Sequence, residues 1–156
     1  MTAQAQIILW GIATAFPFVL NNLTKRSADA VGVSAILLMG WCMQRVLWAF
    51  YGPPECTHQY PLIDAVIGTA VFACWWSSRQ AWKLAIVGIL ALQCTTHLAY
   101  ILAAGATVSF EKYIFSNNVL YALQLLLACS PGIGYVVGVL VHHLRHLVGP
   151  TSHVGA

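Results

Sequence analysis

From Leu84 to Phe110 the chain carries no Asp, Glu, Lys or Arg, and this uninterrupted apolar run limits the possible folds more than any other feature. A helix needs about 20 apolar residues to cross a hydrocarbon core about 30 Å thick. The stretch from Leu84 to about Ala104 has that length, and Gln93, Thr96, His97 and Tyr100 fall on one helical face within it. Polar groups are costly in hydrocarbon and face a bundle interior or a cavity. The stripe therefore marks the inside of a membrane bundle.

Four more apolar runs repeat the pattern. Spans are expected over residues 6–20, 30–51, 62–77, 84–104 and 117–141, giving an all-α polytopic transmembrane bundle in which 1–156 is a single domain. Composition agrees: 60% of residues are hydrophobic, 7% are charged and the mean hydropathy is +0.77, whereas soluble domains carry about a quarter charged residues. Pro53, Pro54 and Pro61 mark one helix-ending loop, and Pro131 with Gly132 and Gly134 is expected to interrupt the last span before His142. The first run lacks a basic n-region and a clear A-x-A site, so 6–20 is expected to be a retained span. Net charge is only +3 and the basic residues are scattered, so no nucleic-acid partner is expected; the lipid bilayer is.

Lys25 and Arg26, the turn with Arg79 and Lys83, and Arg145 with His142, His143 and His146 all fall on one side of this five-span layout. Glu55 and the Glu111–Lys112 pair fall on the other. The positive-inside rule then puts the N-terminus out and the C-terminus in, with Trp75, Trp76 and Trp82 at headgroup level.

On the second span Trp41, Gln44, Arg45 and Trp48 share a face, on the third Asp64 heads one, and on the fifth Asn117, Tyr121 and Gln124 do. At about 1.5 Å per residue, Arg45 and His97 lie roughly 22 and 20 Å from the inner boundary, with Asp64 and Gln124 about 5 and 10 Å below the outer one. Polar residues of four spans thus meet in the outer third. Two readings follow. In one, Arg45 and Asp64 form an ion pair and the amides are interhelical glue. In the other, Arg45, Asp64, His97, Gln44, Gln93, Gln124 and Tyr100 line an outward-opening pocket that binds or passes a small polar or anionic ligand.

Other chemistries lack a pattern. Four of the five cysteines fall within spans and none forms a CxxC pair, so they read as buried small apolar residues. Only His97 lies in the hydrocarbon, which excludes a bis-histidine haem inside the bundle. His142 and His146 stand one turn apart without a third ligand, and Cys56 with His58 is no stronger, so no metal and no cofactor is expected. There is no GxSxG, HExxH or phosphate-cradling glycine loop, and the protein is expected not to be an enzyme. Gly134 and Gly138 have the small-xxx-small spacing that permits close helix approach, a possible homo-oligomer contact.

Asp64, Trp75, Trp82, Gln93, His97, Tyr100, Asn118 and Gln124, set in short spans, resemble the small multi-span membrane proteins of tailed phages and prophages, some of them labelled holins. The resemblance implies multi-pass residence in a bacterial inner membrane and, as alternatives to ligand binding, an oligomeric lysis pore or an accessory subunit of a larger complex. It assigns no functional residue.

Overall fold

The computed structural model describes residues 3–24, 28–52, 55–103 and 109–148. Five helices make up the fold: α1 Ala3–Leu23, α2 Ala28–Tyr51, α3 Tyr60–Ser78, α4 Ala81–Leu102 and α5 Phe110–Val148, with a short 3₁₀ turn at Glu55–His58 before α3. All five are long and apolar enough to cross a membrane. The architecture is an all-α bundle, and no strand occurs among the described residues.

Its surface and interior are inverted relative to a soluble domain. Large apolar side chains such as Phe50, Leu23 and Leu102 face outward, while Asn21, Asp64, Lys83, Gln93, His97 and Gln124 are buried. Hydrocarbon supplies no hydrogen bonds, so buried polar groups must find partners on neighbouring helices.

α4 packs between α3 and α5, while α1 lies against α2 and α5. Nearly every seam carries a polar tie. Asn21 of α1 donates to Ser34 Oγ of α2 and to the Ala128 carbonyl of α5, both at 2.9 Å. Tyr121 of α5 donates to Thr14 of α1 at 3.0 Å. At the turn between α3 and α4, Arg79 takes a left-handed conformation, φ 55°, and its N–H closes on the Trp75 carbonyl.

Lys83 differs from expectation. Instead of contributing a basic loop charge it lies in the first turn of α4, with its side chain fully buried. Its ammonium donates to Ser78 Oγ at 2.6 Å and to the Cys74 carbonyl at 3.3 Å, and it pairs with Asp29. Both charges suit their helix ends: Asp29 sits in the first turn of α2, and Lys83 faces the carbonyl end of α3. Lys25 and Arg26, placed on the same side by the sequence, lie outside the described residues, as do Pro53 and Pro54.

α5 also differs. It begins at Phe110, ahead of the expected Asn117, and runs through Pro131 without a break. Proline has no N–H, which leaves the Leu127 carbonyl without its helical donor. Ser130 Oγ fills that role at 2.7 Å. Gly132 then lets α5 approach α1: a Cβ there would come 2.7 Å from Leu20 Cγ. Beyond it, Ile133 to Arg145 is exposed on every face, and among the described residues a Cβ at Gly134 or Gly138 would meet open space.

This packing predicts opposite outcomes for neighbouring glycines. Gly132→Ala drives a methyl group into Leu20 and lowers stability by about 1–3 kcal/mol. Gly134→Ala meets open space and raises helix stability by up to about 1 kcal/mol. Thermal unfolding in detergent micelles followed by circular dichroism separates them, and equal losses would contradict the α1–α5 seat.

Candidate functional site

Two polar clusters and one pocket occupy the end of the bundle where α2 and α4 terminate. The first cluster centres on Asp64, one turn into α3, whose side chain is 4% exposed. Gln44 of α2 donates its amide to Asp64 Oδ1 at 3.0 Å. The other oxygen, Oδ2, lies 2.9 Å from Nε2 of His97, which is fully buried on α4. That contact is an ion-pair distance without an aligned hydrogen bond, for neither Oδ2 nor Nε2 has an aligned partner among the described residues.

His97 is also held by two tyrosines. Its Nδ1 meets the Tyr113 hydroxyl of α5 at 2.5 Å, and the rings of Tyr60 and Tyr113 stand edge-on to the imidazole at 5.5 Å. Tyr60 accepts from the Cys56 thiol at 3.3 Å. Tyr100 stacks flat on Tyr113, centroids 4.2 Å apart. A phenol both donates and accepts, so Tyr113 satisfies Nδ1 in either imidazole tautomer.

The second cluster is built only of amides. Gln93 of α4 donates to Asn117 Oδ1 of α5 at 2.7 Å, and Gln124 of α5 donates to Gln93 Oε1. A cavity of about 10 Å³, about the size a single water needs, touches Gln44, Asp64, Gln93, Tyr121 and Gln124 and so lies between the clusters.

The pocket is larger, about 140 Å³, and lies between α1, α2 and α5. Gln6, Gln44, Arg45, Asn117 and Asn118 supply its polar wall, with Trp10, Trp48 and Tyr60 beside them. Arg45 stands about 9 Å from the end of α2 at 1.5 Å per residue. Its guanidinium carbon is 5.8 Å from the Trp41 ring and 5.6 Å from the Trp48 ring. Its Nε is buried without a hydrogen-bond partner, and no acidic side chain lies within ion-pair distance among the described residues. An open groove of about 420 Å³ along α3 and α4 is mainly apolar and contains Asp64 as its one ionic residue.

The seven residues read from the sequence thus divide among distinct positions. Gln44 and Arg45 line the pocket; Asp64 and His97 form the pair behind it; Gln93 and Gln124 belong to the amide cluster; and Tyr100 supports Tyr113 away from the pocket. The expected ion pair between Arg45 and Asp64 is not formed, because His97 and Gln44 occupy both carboxyl oxygens. Thr96 bonds only the Leu92 carbonyl of its own helix.

Tyr60 and Tyr113 escape the sequence reading because each falls in a stretch assigned to a loop. The signal for Tyr113 is present: Phe110, Tyr113, Asn117, Tyr121, Gln124 and Ala128 follow one another at i+3 or i+4 on one continuous face. His142 and His143 lie on the exposed part of α5, the side chain of His146 and all of His153 are outside the described region, and no three metal-binding residues cluster among the described residues. No family model, curated protein or solved structure matches the chain.

Gln93 links two partners and Gln124 one. At about 0.6 kcal/mol per interhelical hydrogen bond, Gln93→Leu lowers stability by about 1 kcal/mol and Gln124→Leu by about half as much. Denaturant titration in micelles gives the order, and a larger loss for Gln124→Leu would contradict the assigned network.

Proposed function

We propose that this chain is a non-enzymatic protein of a bacterial inner membrane whose pocket binds a small oxyanion, either free or as the phosphate of a lipid headgroup. The observation that carries this reading is Arg45, a permanent cation between two indole rings with a buried Nε that no group among the described residues satisfies. Arginine presents a planar fork of donors suited to oxyanions. Gln6, Gln44, Asn117 and Asn118 add neutral amides that orient a ligand without competing for the guanidinium. A volume of about 140 Å³ suits a small anion and is well below the roughly 300–1,000 Å³ of drug-sized sites.

In the orientation favoured by the basic side chains, N-terminus out and C-terminus in, the pocket opens to the outer leaflet. The basic side chains that support that orientation are Lys25, Arg26, Arg79 and Arg145, since Lys83 is neutralised by Asp29.

A second reading has its own observation. The exposed stretch Ile133–Arg145, with open positions at Gly134 and Gly138, favours self-association into an oligomer, and a lysis pore is one form of it. Cross-linking in native membranes tests this. A ladder lost in Gly138→Leu supports it, and a monomer alone contradicts it.

Anion binding predicts quenching or enhancement of tryptophan fluorescence when sulfate is added to lipid-stripped protein in maltoside micelles, which carry no phosphate. Arg45→Ala removes the response and Arg45→Lys weakens binding about tenfold, since a point charge replaces the bidentate fork. Phospholipid nanodiscs distinguish the source: if a headgroup phosphate is the ligand, sulfate no longer binds there. Equal sulfate binding by wild type and Arg45→Ala would contradict the reading.

A further inference from the structure

The pocket and the buried pair share a wall. Gln44 lines the pocket with one part of its side chain while its Nε2 holds Asp64 Oδ1, and Tyr60 both lines the pocket and stands edge-on to His97. Arg45 is therefore separated from the Asp64–His97 pair by one layer of side chains. The titratable and charged groups around the pair and the tyrosines beside it are Arg45 from α2, Cys56 from the 3₁₀ turn, Tyr60 from α3, Cys94 and Tyr100 from α4, and Tyr113 and Tyr121 from α5. Phenols and thiols are uncharged when protonated, which leaves Arg45 as the only permanent charge among them.

The pair is built to gain and lose one proton at a defined place. Gln44 donates to Oδ1 and Tyr113 accommodates Nδ1 in either tautomer, so both outer positions stay satisfied. Between them, Oδ2 and Nε2 face each other at 2.9 Å with no aligned partner. With that proton absent the pair carries one negative charge, and with it present the pair is neutral overall.

We propose that the pocket binds its anion together with a proton, the anion at Arg45 and the proton between Asp64 and His97. This rests on the anion-binding reading above. The coupling is electrostatic. A deprotonated pair offsets the charge of Arg45 and weakens its hold on an anion; a proton taken from bulk water removes that offset. Unit charges about 10 Å apart at an effective dielectric of about 20 interact strongly enough to change a binding constant roughly tenfold. Linkage makes the effect reciprocal: the bound anion tightens proton binding by the same factor.

The test uses lipid-stripped wild-type protein in maltoside micelles, which carry no phosphate, with sulfate as the probe, because its charge is constant across the range. Sulfate affinity is measured in steps from about pH 5 to pH 8. Affinity is expected to fall roughly tenfold as pH rises, and sulfate added to unbuffered protein near the midpoint is expected to draw protons from solution. Asp64→Asn fixes the pair uncharged and should bind sulfate at every pH as the wild type does at low pH. Sulfate binding that requires Arg45 but stays flat with pH, without proton uptake, overturns the coupling and leaves the pocket standing. Absence of sulfate binding in wild type at all pH values overturns both.

Discussion

Asp64 is held by Gln44 on one oxygen and set against His97 on the other, and much of the bundle's geometry follows from keeping that carboxyl out of lipid. An isolated carboxylate in hydrocarbon is too costly to leave unpaired. Satisfying it engages α2 through Gln44, α4 through His97 and α5 through Tyr113, so three helices converge on one residue of α3. The 3₁₀ turn joins them by setting Cys56 against Tyr60, which supports the imidazole. The pocket exists because Arg45 is left out of this arrangement.

The opposite end of the bundle solves the same problem differently. There Lys83 and Asp29 neutralise each other while capping neighbouring helix ends, and Ser78 and the Cys74 carbonyl take up the remaining donors of the ammonium. That site is closed: charge, donors and acceptors balance within it. The Arg45 end has a cation without a counter-charge among the described residues and a buried Nε without a partner. A closed ion pair reads as structure and an unbalanced one as a place for a ligand.

The five helices and the membership of the polar layer were legible in the sequence because both depend on local periodicity. Gln44, Arg45, Asp64, Gln93, His97 and Gln124 interrupt apolar runs at helical spacing, and all turn inward or toward the pocket. Partner choice was not legible. Whether Asp64 meets Arg45 or His97 depends on how α2, α3 and α4 rotate about their axes, and the close seat of Gly40 on α2 against Ile67 on α3 constrains that rotation through a contact no local periodicity encodes. Lys83 misleads for a related reason: at the start of a helix its spacing suits a loop charge, and only the approach of α2 brings Asp29 to it.

The account depends on Asp64 pairing with His97 and leaving Arg45 free. Solid-state NMR on protein labelled at the histidine and arginine side-chain nitrogens and the aspartate carboxyl carbons, in lipid bilayers, measures both separations through dipolar couplings. Strong coupling of His97 Nε2 to the Asp64 carboxyl, with none from the Arg45 guanidinium, is the predicted result. Strong coupling between Arg45 and Asp64 would contradict it, for the cation would then be neutralised within the bundle and the pocket would lose its ligand-binding charge.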